Sequence, residues 1–298
     1  MKSIARREAR NFLAFTGISL LGFAIFYVYP VIRTFYLSLT NTRVGVDAVD
    51  FLGFRNYEQI LLKDPLFWHS MRQSFLFSFI AGPLSLLVAL YAAMLLNRKV
   101  RFIGVFRTIF FLPFVIPTFA VASVFKGFLH PSSGIINRVL SYLGIQGPGW
   151  YMDSSSALAT LILISSWGFG VSMLIFLAAL QNVPASYYEV ADLDGASGFQ
   201  KFRYVTFPFI SPVFFFNVVL ATINGLKSFN LAFLMGRGLG FPANSTLLFP
   251  VYLFVTAFRM PYKLGYASAL AWVFFLVIMA LTGLNFLLSR YYVNEDVE

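Results

Sequence analysis

Seven stretches of this chain run for 18 residues or more without a charged side chain, and six of them are apolar over a membrane-spanning length. They are residues 11–32 (22 residues), 73–97 (25), 108–125 (18), 154–188 (35), 204–226 (23) and 264–289 (26). A helix needs roughly 20 apolar residues to cross a bilayer, and about the first 28 of the 154–188 run are apolar enough to do so. The seventh run, 238–258, carries Pro242, Asn244, Ser245 and Thr246 in its first half. What remains, near 246–258, is too short to span and reads as an interfacial or re-entrant helix on the outer side. With 59% hydrophobic and only 11% charged residues, the chain lacks the polar groups to cover a water-soluble surface. An ordinary cytosolic globule is excluded.

The first run exceeds the apolar region of a cleavable signal peptide and no small-residue cleavage site follows it, so it is expected to remain as a helix. Zero cysteines exclude disulfides, thiolate metal sites and cysteine nucleophiles. His69 and His130, the only histidines, are far apart and outside the apolar runs, which argues against a buried haem or metal centre. No cofactor is expected. The net charge of +10 is distributed as punctuation between apolar runs rather than gathered in a patch, so it marks membrane edges and lipid headgroups and not nucleic acid.

Lys2, Arg6, Arg7 and Arg10 precede the first run, and Arg98, Lys99, Arg101 and Arg107 crowd the segment between the second and third. The density of basic residues puts both segments in the cytoplasm. Six spans then place both termini there and leave 33–72, 126–153 and 227–263 outside. The outer acids Asp47, Asp50, Glu58 and Asp64 have no metal-binding spacing, and their segment reads as a contact surface for an external binding protein or as a solvated loop.

The 184–208 loop is too dense in local signals to be a plain connector. Pro184 suits a helix start and Gly195 a left-handed C-terminal cap, while Ser197 and Gln200 form a capping box for a second helix, to be ended or kinked by Pro208. Tyr187, Ala191 and Asp194 share one helical face, and Tyr188, Ala191 and Asp192 another, with Glu189 and Asp194 expected to cap or pair locally. From the residues alone this is either an interfacial amphipathic hairpin or a protein docking surface.

Glu189, Ala191, Asp194, Gly195, Ala196, Phe202, Val205, Pro208 and Pro212 stand in the spacing of the "EAA" signature. The chain therefore resembles the permease subunits of ATP-binding-cassette (ABC) importers, with Val190 and Phe207 as departures from the usual pattern. Tyr29-Pro30, Ser38-Leu39, residues 51–57 (FLGFRNY), Asn244-Ser245-Thr246, Ala257-Phe258 and 265–269 (GYASA) are similar to the first of two permeases in carbohydrate uptake systems. Gly238-Leu239-Gly240-Phe241-Pro242 departs from the Gly-Gly-Pro expected there.

The resemblance implies an all-α membrane protein, a single permease domain over 1–298 with a type I (MetI-like) importer core. It implies partners too: a second permease, two cytoplasmic ATP-binding subunits, an external solute-binding protein and a carbohydrate substrate. The location implied is a bacterial or archaeal cell membrane. Glu189, Ala191, Asp194, Gly195 and Ala196 would couple to the ATPase. No phosphate-binding Gly-x-x-x-x-Gly-Lys-Ser/Thr loop occurs, so the chain is expected to be a transporter subunit and not an enzyme.

In the fifth run Asn217, Asn224 and Lys227 or Ser228 fall on one stripe, a pattern that faces either a substrate path or neighbouring helices. Trp167, Trp272, Ser165 and Ser166 read as packing residues. Lys227 leaves both a neutral and an anionic sugar open. An ion-coupled secondary transporter is the alternative, but the spanning runs contain no Asp or Glu for proton or sodium coupling.

Overall fold

A computed structural model describes residues 12, 16–43, 45, 49–98, 101–291 and 293. Lys2, Arg6, Arg7, Arg10, Lys99, Asp47 and residues 294–298 lie outside the described residues. Apart from one isolated bridge between Thr40 and Phe51, the described residues form helices and turns.

Along the chain, α1 covers Thr16–Ser38, α2 Arg55–Lys63 and α3 Pro65–Leu96. Next come α4 Ile103–Val115, α5 Thr118–Phe128, α6 Ile135–Tyr142, α7 Ala157–Ser166 and α8 Gly170–Gln181. They are followed by α9 Ala185–Leu193, α10 Gly198–Lys201, α11 Phe207–Leu226, α12 Asn230–Met235, α13 Phe249–Phe258 and α14 Leu264–Ser289. Among the described residues, four stretches are long and apolar enough to cross a membrane, namely α1, α3, the Gly198–Met235 stretch and α14. The pairs α4–α5 and α7–α8 raise the number to as many as six if each is one broken span.

The breaks depart from the uninterrupted runs expected at 108–125 and 154–188. Between α4 and α5 the axis turns by 96°. Pro117 is the cause, because its ring disfavours helical geometry in the residue before it, and Ile116 is extended at φ −72°, ψ 128°. Between α7 and α8 the bend is 44°, at Trp167-Gly168-Phe169. Pro208, expected to end or kink a helix, does not end the helical stretch. A π turn at Phe202–Thr206 precedes it, just as a π turn at Ala24–Val28 precedes Pro30. A proline ring collides with the carbonyl four residues earlier, and in both places that carbonyl lies inside the widened turn. The short run near 246–258 forms the ten-residue α13.

One compact unit comprises residues 1–64 and 256–275. Its centre is the buried Asn56, whose Nδ2 donates to the carbonyls of Ser38 (2.8 Å) and Thr40 (2.9 Å). Ser38 is also fully buried and bonds the Tyr57 hydroxyl at 2.7 Å. The described acids of this unit make contacts within it. Asp50 accepts from Asn41 Nδ2 at 2.7 Å, Glu58 pairs with Lys63 at 3.4 Å, and Asp64 accepts from the Tyr266 hydroxyl at 2.6 Å. Phe35 meets Trp272 edge to face at 5.1 Å, which makes Trp272 a packing residue as expected.

The second unit comprises residues 65–255 and 276–298. Its core packs α3 against α8 and α11, with Ala89, Ala92 and Ala93 of α3 close to Met173, Phe176, Leu180 and Ile210. Small side chains let backbones approach, which is how helices gain contact where lipid supplies no hydrophobic drive. Gly225 is the tightest point of α11 against α3, because a Cβ there would lie 3.0 Å from Ser78 Cα. Gly225→Val should therefore destabilise the protein by about 1–3 kcal/mol through overpacking. Gly17→Ala, at a helical site with nothing within 4 Å, should not. Thermal unfolding of the purified variants, followed by circular dichroism, checks the difference.

Candidate functional site

Two places in the second unit concentrate chemistry, the 184–208 hairpin and a polar cavity at the helix breaks. In the hairpin, Pro184 precedes α9 as its N-cap residue, and Asp194 ends it as the C-cap. Gly195 follows with φ +71°, a conformation that glycine adopts without steric cost. The Gly195 amide then bonds the Asp192 carbonyl (3.1 Å), and the Ala196 amide the Ala191 carbonyl (2.9 Å). This is a complete Schellman turn, so the last carbonyls of α9 are satisfied without a side chain. The capping box at Ser197 is formed in both directions, the Ser197 amide reaching Gln200 Oε1 at 2.7 Å and the Gln200 amide reaching Ser197 Oγ at 3.4 Å.

The two arms enclose an open groove of about 720 Å³, lined among others by Tyr187, Ala191, Asp194, Gly195, Ala196 and Tyr204. Glu189 is exposed and is not among the groove residues. Of the two acids expected to cap or pair locally, Asp194 stands at the C-cap of α9, and an ion pair forms between Asp192 and Lys201 of the next helix. That partnership was missed because the two residues stand nine apart, on different helices, and only the glycine turn brings them together. Tyr188 anchors the hairpin to the core through a 2.9 Å bond to the Thr206 hydroxyl, and Tyr187 meets Phe209 edge to face at 4.9 Å. The outward side is apolar. Leu193 is 88% exposed and Phe199 72%.

The second place is a cavity of about 390 Å³ where three helix interruptions meet. Ile116 and Thr118 come from the α4–α5 break, Trp167 and Gly168 from the α7–α8 break, and Lys227, Ser228 and Asn230 from the α11–α12 break. Lys227 and Ser228 of the polar stripe therefore share this cavity. Asn217 does not line it. It is 1% exposed, donates Nδ2 to the Val213 carbonyl at 3.0 Å and leaves Oδ1 buried without a partner among the described residues. Asn224 is exposed and is also absent from the lining, so the stripe diverges as its surroundings change along the helix. Trp167, which packs edge to face on Phe125 at 5.5 Å, and Ser165 both line the cavity, a role that packing alone did not foretell.

Beyond the cavity, Lys126 Nζ donates to the Leu234 carbonyl at 2.7 Å, and the Tyr151 hydroxyl donates to the Lys126 carbonyl at 3.2 Å. Burial pushes the Tyr151 phenol above its ordinary pKa, against a smaller opposing pull from the positive charge of Arg237. Asp153 is held below the ordinary carboxylate range by hydrogen bonds from the Ser155 amide (3.1 Å) and hydroxyl (2.9 Å). His69 Nε2 lies 2.9 Å from the Asn244 carbonyl and His130 Nδ1 2.9 Å from Ser133 Oγ, both plain polar roles.

Membrane-length helices, a helical hairpin with an apolar outward side and a polar cavity at helix breaks together describe a multi-pass membrane transport component. The family described as "Binding-protein-dependent transport system inner membrane component" matches residues 85–294, and the chain belongs to it. It is thus a transporter subunit, an ABC-type permease, and not an enzyme.

The chain is similar to the probable ABC transporter permease protein YesP of Bacillus subtilis (strain 168), at 37% identity over 95% of this chain and 91% of the relative. It is also similar to the lactose transport system permease protein LacF of Rhizobium radiobacter, at 34% identity over 97% of each. Among solved structures, a bacterial alginate ABC transporter in complex with alginate pentasaccharide-bound periplasmic protein contains a chain matching at TM-score 0.80. That chain is 21% identical, with 96% of both chains covered, which establishes a shared MetI-like fold.

The Asp192–Lys201 pair is exposed on the Asp192 side (64%) and should contribute little. A double-mutant cycle with Asp192→Asn and Lys201→Gln is expected to yield a coupling energy below about 1 kcal/mol that shrinks with salt. Chemical denaturation of the single and double variants measures it.

Proposed function

We propose that the chain is a permease subunit of an ATP-driven importer that translocates a sugar or oligosaccharide delivered by an external solute-binding protein. Each broken pair then counts as one span, giving six, with both termini and the 184–208 hairpin in the cytoplasm, the whole of 1–298 acting as one permease domain and α13 lying near the outer surface. A second permease would complete the pathway, and two ATP-binding subunits would supply the energy. Relatives named for lactose and for arabinooligosaccharide transport support the sugar class.

The observation that carries the coupling role is the hairpin's exposed surface. Leu193 and Phe199 project from a rigid, doubly capped turn, while Ala191, Gly195 and Ala196 keep the groove floor low enough for another chain to approach. Glu189 and Asp194 add negative charge beside it. Closure of the ATPase dimer would move this hairpin as a lever and shift the helices between inward-facing and outward-facing states. On the substrate side, Lys227 and Ser228 line the path at the helix breaks, and Asn217 and Asn224 belong to the same helix.

Topology is directly testable because the chain has no native cysteine. A membrane-impermeant maleimide should label Ser154→Cys in intact spheroplasts and Phe199→Cys only after permeabilisation; labelling of the latter in intact cells would place the hairpin outside.

Coupling has its own test. A Cβ on Gly195 meets nothing within 4 Å of its own chain, so the internal cost of a side chain is about the 1 kcal/mol of a positive-φ residue. Gly195→Glu is expected to insert and assemble yet abolish ATP-dependent sugar uptake in proteoliposomes. Full uptake by that variant removes the coupling role, and uptake driven by a proton or sodium gradient with this chain alone would favour a secondary transporter.

A further inference from the structure

We propose that the cavity at the three helix breaks receives the anionic group of an acidic saccharide, with the Lys227 ammonium as its counter-ion. This rests on the importer reading above and narrows its substrate class.

Lys227 is exposed on the cavity and makes no ion pair among the described residues. No acid lines the cavity. Between residues 65 and 188 the only acidic residue is Asp153, and between 195 and 294 there is none. The two carboxylate oxygens of Asp153 are already occupied by Ser155. The Lys227 ammonium therefore presents an unpaired positive charge to the cavity, and an incoming carboxylate or sulfonate would supply its counter-charge.

Two more cations stand along the same helices. Lys126 follows Val121, a cavity residue, by five positions on α5, about 7.5 Å along the axis. Its Nζ bonds the carbonyl of Leu234, which follows the cavity residue Leu231 by three positions on α12. Arg237 comes just after α12 and lies within electrostatic reach of both Lys126 and Tyr151. Three cations against the single carboxylate of Asp153 leave this end of the unit net positive, which draws an anion toward Lys227. Within the cavity, Ser228, Asn230 and Thr118 offer hydrogen bonds to hydroxyls, and Trp167 offers a ring face for a sugar.

The test is direct binding to the assembled transporter in nanodiscs, without its binding protein, using radiolabelled trigalacturonate and maltotriose as acidic and neutral probes. Trigalacturonate is expected to bind at least about tenfold more tightly than maltotriose and to weaken as salt rises. Lys227→Gln should reduce its affinity by about tenfold or more, and Lys227→Arg should hold it within about threefold of wild type. The proposal is overturned by equal or tighter binding of maltotriose, by no binding of trigalacturonate, or by unchanged binding to Lys227→Gln. ATP-dependent uptake with the cognate binding protein is measured alongside: uptake of a neutral sugar that persists in Lys227→Gln sinks the acidic substrate while leaving the importer standing, whereas absence of ATP-dependent uptake strikes the importer itself.

Discussion

In the hydrocarbon region of a bilayer a backbone amide or carbonyl that leaves a helix has no water to turn to, so a broken helix is tolerated only where protein or a polar cavity receives the freed groups. Two apolar runs of this chain break, at Ile116-Pro117 and at Trp167-Gly168-Phe169, and both open onto one cavity with the end of α11. Much else in the second unit follows from that constraint. In the same unit, small residues such as Ala89, Ala93 and Gly225 let α3 pack closely against α8 and α11. The cavity also collects the polar side chains of the neighbourhood, Lys227, Ser228 and Asn230 among them.

The hairpin is governed by the opposite condition. Exposed to water, α9 could fray, yet its carbonyls are satisfied by the Gly195 turn, and the next helix starts on the Ser197 capping box. The result is a short, stiff projection tied to the core by Tyr188 and Thr206, with apolar tips at Leu193 and Phe199. A stiff projection transmits displacement, whereas a flexible loop would absorb it.

Legibility from sequence followed the range of the interaction. The Schellman turn and the capping box could be read within a few residues, because their partners are neighbours in the chain and their chemistry is carried by Gly195, Ser197 and Gln200. The Asp192–Lys201 pair, the anchoring of Tyr188 on Thr206 and the use of Asp50, Glu58 and Asp64 as internal staples could not. Those acids lie on a segment that reads as a contact surface for an external binding protein or as a solvated loop, and three of them make contacts within their own unit. The π turns before Pro30 and Pro208 were equally hidden, since a proline announces a conflict but not how the helix resolves it.

Apolar run lengths, charge scarcity and local capping signals by themselves determined a helical membrane protein with a capped hairpin, because membrane partition and capping depend on composition and on near neighbours; the permease reading came from the resemblance carried by the 184–208 signature. Tertiary structure decided where the spans bend, which polar residues meet and which diverge. Lys227 and Ser228 reach the cavity just past the end of α11, while Asn217 is buried apart from it and Asn224 is exposed, although the sequence spacing sets Asn217, Asn224 and Lys227 or Ser228 on one stripe. A stripe records only angle about an axis; what each residue faces depends on the neighbours at its own height, and those are set by helices distant in the chain.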